Sequence, residues 1–183
     1  MIEQQHVTKI DYLKLHVRDV PDFPKPGIIF KDITPLLSDS VARKLVVDIT
    51  INHYRDKNIQ VIAAIEARGF LFGMLLADAM GLPFVPIRKV GKLPYKKKIE
   101  HYDLEYGTSS IEIHEDSITP RSRVLIHDDL LATGGTAKAA GSLVQKVGGI
   151  VAGFSFVIDL SFLPGNLNLI EAFGVEPCSI LTY

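Results

Sequence analysis

Three short apolar runs constrain this chain more than any other feature. QVIAAI (60–65), VLIH (124–127) and IVAGFSFVI (150–158) hold few polar side chains. Runs of that length suit strands covered on both faces rather than buried helices. Helical patterns lie between them. Gly69–Met80 reads as a buried helix closed by Gly81. Residues 136–147 put Ala140, Leu143, Val144 and Val147 on one face, and Gly148-Gly149 end the pattern. PFVPI (83–87) and CSILT (178–182) add strands, and SSIEIH (109–114) alternates like a half-exposed one. Alternating strands and helices predict an α/β fold: a mostly parallel central sheet flanked by helices, with ligands beyond the carboxyl ends of the strands.

Before the first run, residues 3–17 carry Ile10, Leu13 and Val17 at helical spacing. The next stretch, RDVPDFPKPGIIFKDITPLL, contains Pro21, Pro24, Pro26 and Pro35, which rule out a regular helix. Phe23, Ile28, Ile29 and Phe30 keep it from being a solvated linker, so an ordered, irregular arm is expected. Asp39 or Ser40 caps a helix running to about Asp56.

The 183 residues suit a single domain over 1–183 that buries a sizeable core. Lys plus Arg total 20 against 21 acids, a balance that points to neither a nucleic-acid nor a membrane partner. Cys178 is the only cysteine, so no internal disulfide forms. MIEQQHVTKIDYLKLHV lacks the signal-peptide pattern, and no run approaches the roughly 18 apolar residues of a membrane span. A soluble, cytoplasmic protein is expected. The six histidines show no metal-ligand spacing.

Chemistry concentrates at VLIHDDLLATGGTA (124–137). Strand, small-residue loop and helix start together make an anion cradle, with main-chain N–H groups turned inward and the helix dipole behind them. Hydrogen bonds to a charged group contribute about 1.5–3 kcal/mol each, so Ala132, Thr133, Gly134, Gly135 and Thr136 can hold a phosphate without a lysine. The loop is neither GxxxxGK[ST] nor GxGxxG. Asp128 and Asp129 would repel that phosphate, so they face hydroxyls or a cation. A sugar phosphate satisfies both halves; an acidic strand end followed by an ordinary glycine turn is the plainer alternative.

This segment resembles the phosphoribosyl-pyrophosphate (PRPP) motif of the type I phosphoribosyltransferases, with His127 where that family usually has an aliphatic residue. PDFPKPGIIFKDITPLL (21–37), IEARGFLFG (65–73), PIRKVGKLP (86–94) and LEYG (104–107) are similar to its adenine-accepting branch. The resemblance spans about residues 20–150. It implies the type I fold with an N-terminal hood over about 20–37, a flexible catalytic lid loop over about 89–105, and a PRPP-binding strand–loop–helix at 124–147. The implied reaction is purine salvage: adenine plus PRPP gives AMP plus pyrophosphate in a homodimer. Magnesium arrives with the pyrophosphate rather than in a protein cage. Another purine acceptor, hypoxanthine or guanine, or a PRPP-binding regulator without turnover, are the alternatives.

Residue by residue, the resemblance gives Asp128 and Asp129 the ribose hydroxyls and 132–136 the 5′-phosphate. It gives the pyrophosphate to Glu66, Ala67 and Arg68, with a cis Glu66–Ala67 peptide, and to Arg88, Lys89 and Lys92. Ile29, Phe30 and Lys31 of the hood, with Leu130, receive adenine. Glu105 and Tyr106 sit at the reacting centre, where Glu105 stabilises positive charge on the sugar or moves a proton at the base; these two roles stay open. Lys96, Lys97 and Lys98 fit a solvated charged loop.

Overall fold

Every strand expected from the apolar runs forms. The computed structural model describes residues 8–103 and 108–183. The chain makes two compact units, one through Asp48 and one from Ile49 on.

In the first unit, α1 (Lys9–Leu15) opens on a capping box in which Thr8 and Asp11 satisfy each other's main-chain N–H groups. The arm is more regular than its four prolines suggest. β1 (Arg18–Pro21) and β2 (Ile29–Asp32) pair antiparallel, from Arg18 opposite Asp32 to Pro21 opposite Ile29. The strands accommodate the prolines because Pro21 ends β1 while Pro24 and Pro26 fall in the connection, where Phe23–Pro24 is cis. α2 (Thr34–Ser38) starts with Pro35 in its first turn, where a missing N–H is harmless. α3 (Ser40–Tyr54) follows, and Asp39 accepts the N–H of Ala42 at 2.7 Å.

The second unit continues with β3 (Val61–Ile65), α4 (Gly69–Met80), β4 (Phe84–Lys89), β5 (Lys97–Asp103), β6 (Thr108–His114), β7 (Arg123–Leu131), α5 (Gly135–Lys146), β8 (Ile150–Asp159), α6 (Gly165–Phe173) and β9 (Cys178–Thr182). Seven strands form one sheet in the order β5-β6-β4-β3-β7-β8-β9. β4, β3, β7, β8 and β9 run parallel, and β6 and β5 join antiparallel at one edge. β3 is buried at every position and β8 at all but its first, as strands covered on both faces must be. The core joins Ile65, Ile87, Ile126, Leu143, Phe154 and their neighbours. Each such side chain contributes about 1.5–3 kcal/mol by leaving water.

Three local expectations change. Residues 97–103, expected within one lid loop over about 89–105, form β5, paired with β6 from Lys97 opposite His114 to Asp103 opposite Thr108. β6 is not simply half-exposed: Ile111, Glu112 and Ile113 are all buried. α6 had no counterpart in the sequence pattern. No helix among the described residues is long and apolar enough to cross a membrane.

Candidate active site

β3 and β7 lie parallel and adjacent, with Ala64 level with His127. β4 leaves on one side of β3 and β7 lies on the other, so the strand order reverses here and a crevice opens beyond the strand ends. Both turns singled out by the sequence sit at those ends.

β7 runs on to Leu131, which makes Asp128 and Asp129 strand residues. Asp129 is only 4% exposed, and its Oδ2 lies 2.9 Å from Nε of Arg68. Oδ1 of Asp128 accepts the main-chain N–H of Asp129 at 2.9 Å. Gly69, the first residue of α4, packs on it: a Cβ there would stand 2.9 Å from that oxygen and 3.0 Å from the His127 carbonyl. Burial pushes both carboxyls above the usual range, and the negative neighbour pushes Asp128 further. The Arg68 guanidinium opposes the rise, chiefly at Asp129. A partner rich in hydroxyl donors, or a cation, would relieve this pair.

His127 lies beneath the acids, buried, with Nδ1 2.7 Å from Oγ of Ser155 on β8. Burial pulls its pKa down to about 3, so the ring is neutral, and its Nε2 is buried without a partner. The histidine in place of an aliphatic residue thus has a specific neighbour in the next strand.

The loop after β7 ends at Gly134, the N-cap of α5, whose φ of 81° is a left-handed conformation that favours glycine. No side chain caps α5. The first-turn residues of α5 line a cavity of about 200 Å³ together with Asp128, Leu130 and residues 131–134. Its wall is braced from α6, a support the sequence pattern missed. Nδ2 of Asn168 donates to the Thr133 carbonyl at 2.8 Å. Gly165 lies so close that a Cβ would come within 2.2 Å of the Ala132 carbonyl oxygen. A Pro-Gly pair opening an otherwise unmarked segment was the only trace of this contact in the sequence.

The second turn follows β3. The Glu66–Ala67 peptide is cis, as the resemblance implies. Glu66 receives Nε and Nη2 of Arg88, both at 3.1 Å, and the main-chain N–H of Lys89 at 3.1 Å. The Arg88 fork is the main reason the Glu66 carboxyl lies below its usual range. Both arginines expected at an anion therefore already hold carboxylates, Arg68 on Asp129 and Arg88 on Glu66, whereas Lys89 and Lys92 are exposed.

In the first unit, β2 carries Ile29, Phe30 and Lys31. Phe30 meets Phe23 edge-on at 5.1 Å, Lys31 bonds Asp19 at 2.7 Å, and Ile29 is 56% exposed. In the second unit, Leu130 is half-buried on β7. Glu105 and Tyr106 lie outside the described residues. Among those described, no three His, Cys, Asp or Glu side chains are grouped so as to hold a metal ion.

Residues 37–159 match the family model of the phosphoribosyl transferase domain. The chain is 55% identical over 171 residues to an adenine phosphoribosyltransferase of Solibacter usitatus (strain Ellin6076), covering 93% of this chain and 97% of the relative. Its fold is similar to the crystal structure of adenine phosphoribosyltransferase from Thermoanaerobacter pseudethanolicus, with a TM-score of 0.91 and 45% identity over 95% of this chain and 99% of the other. The Saccharomyces cerevisiae enzyme of that name, solved with an imino-altritol bisphosphate and adenine, gives a TM-score of 0.87 and 36% identity over 94% and 98%.

Proposed function

The chain belongs to the phosphoribosyl transferase family and, within it, to the adenine phosphoribosyltransferases; from that premise we propose how its residues divide the work. The reaction moves the 5-phosphoribosyl group of PRPP to adenine. A purine nitrogen forms a bond to C1 of the ribose, the bond from C1 to the pyrophosphate oxygen breaks, and AMP and pyrophosphate leave.

One observation carries the assignment of roles: an uncapped helix start beside an acid pair of which Asp129 is buried and Asp128 half-buried. The N–H groups and hydroxyls of Ala132, Thr133, Gly134, Gly135 and Thr136 take the 5′-phosphate. Asp128 and Asp129 accept the ribose hydroxyls, which donate to the carboxylates. The turn at Glu66, Ala67 and Arg68 takes the pyrophosphate with Lys89 and Lys92, and Arg88 acts mainly by fixing Glu66 and the loop after β4. Leu130 offers adenine an apolar contact. In the other unit, Phe30 stacks on the base and the main chain of Ile29 and Lys31 reads its amino edge. Glu105 and Tyr106 act at the reacting centre, where a carboxylate stabilises positive charge on the sugar or moves a proton at the base.

Magnesium comes with the phosphates of PRPP rather than in a cage of protein side chains. Carried by the pyrophosphate, it supplies neutralising charge for the leaving group. A homodimer is supported by α4, which exposes Leu71, Met74 and Leu75. A role in cytoplasmic purine salvage completes the proposal. The deciding experiment mixes the protein with PRPP, magnesium and labelled adenine and follows AMP. Its absence, or preferred use of hypoxanthine or guanine, refutes the assignment.

A further inference from the structure

Glu112 is a carboxylate at 0% exposure in the middle of β6, outside the residues assigned above. Burying such a group is costly unless its oxygens are met by donors. Here the donors come from the turn between β4 and β5. Oε1 accepts the main-chain N–H groups of Lys92 at 2.9 Å and Leu93 at 2.7 Å. Oε2 faces the Lys97 ammonium at 3.1 Å. The carbonyls of the same two residues are also held by cations: Lys92 O accepts Nη1 of Arg88 at 3.2 Å, and Leu93 O accepts Nζ of Lys97 at 3.0 Å. Four successive main-chain groups are thus fixed by three ionic side chains.

We propose that Glu112 is a positioning residue: it sets the turn at 90–93 so that Lys89 and Lys92 meet the pyrophosphate together. The inference rests on the roles proposed above for those lysines. One fact favours it over a merely structural role. Lys92, whose backbone the network holds, and Lys89, whose N–H is held by Glu66 at 3.1 Å, are exposed, while Leu93 beside them is buried, so the turn is anchored on one side and presented on the other.

The test uses Glu112→Gln, which keeps an acceptor for the two N–H groups but removes the charge, and Lys97→Met, which frees the Leu93 carbonyl. Inorganic pyrophosphate binding is measured by calorimetry, KM by assay, and folding by thermal melts. A roughly fivefold to tenfold weakening for pyrophosphate and PRPP is expected in both variants, with the KM for adenine unchanged. Amide exchange at Lys92 and Leu93 should quicken in parallel. Unchanged pyrophosphate binding in either folded variant, or an equal loss for adenine, overturns the proposal. If Glu112→Gln does not fold, Lys97→Met decides. A wild-type protein that binds pyrophosphate but makes no AMP would refute the assigned reaction and leave this inference standing on the binding data.

Discussion

Replacing Gly165 by alanine tests whether the phosphate loop is shaped from behind by α6. The new Cβ would stand 2.2 Å from the Ala132 carbonyl oxygen and 2.8 Å from Cδ1 of Leu131. The leucine can turn aside, but the carbonyl is main chain. Ordinary contact begins at 3.4 Å, so that oxygen must withdraw by about 1.2 Å. Such overpacking costs about 1–3 kcal/mol of stability, a fall of roughly 2–12 °C in Tm for a chain of this size. The same shift rotates amides away from the proposed phosphate position. Losing one charge-assisted bond of about 1.5–3 kcal/mol raises the KM for PRPP roughly tenfold to a hundredfold. Gly153→Ala on β8 is the control. Its Cβ would strike the Tyr54 ring at 2.3 Å, a clash with a side chain that belongs to neither α6 nor the loop. Both variants should melt earlier, and only Gly165→Ala should lose PRPP. Equal KM values for PRPP in the two variants would refute the idea that α6 shapes the loop.

Asp128→Asn and Asp129→Asn should weaken PRPP more than adenine, as separate KM values would reveal. Because the folded-state pKa of Asp128 is raised, the native state holds its proton more tightly than the unfolded chain does, and stability is lost as pH rises through that value. Asp128→Asn should therefore melt higher than wild type at pH 7, with the gap closing below about pH 4, near the unfolded pKa. A lower Tm at both pH values would contradict this. His127 has the opposite sign: its pKa is lowered to about 3, so the stability it contributes is present above about pH 6.5 and falls away on acidification toward 3. His127→Leu combined with Ser155→Ala should flatten that acid limb in melts between pH 4 and 8; an unchanged limb would assign it to other groups. Glu105→Gln should cut turnover by roughly a hundredfold with little change in substrate binding, within the span typical of a general acid or base. Near-wild-type kcat would remove Glu105 from the reaction.

Much of this was legible because it is written in local patterns. β3 is a continuous apolar run and β8 nearly so, and Gly81 closes α4 where expected, in a left-handed C-cap. The acid pair and the bare loop announce themselves by composition. Longer-range features did not. Lys96, Lys97 and Lys98 read as a solvated loop and the resemblance put YKKKIEHYD in the lid, yet Lys97 turns to Glu112, Glu100 binds Lys146 of α5, and residues 97–103 pair as β5. Glu112 hid inside an alternating pattern that normally points a glutamate to water, since its donors come from a turn some twenty residues earlier. Arg68 and Arg88 read as anion ligands, but each had a carboxylate partner that spacing alone does not reveal.

The clamp on the turn after β4 bears on ionic strength. Mobile ions weaken charges that face water, with a screening length of about 10 Å at 0.1 M, and scarcely reach a carboxylate sealed inside. Glu112 is sealed, while Lys89 and Lys92 are open to solvent. Added salt should then loosen the hold on a phosphorylated substrate and leave the shape of the grip intact. Affinity in brine and affinity in dilute buffer would differ through the ligand alone.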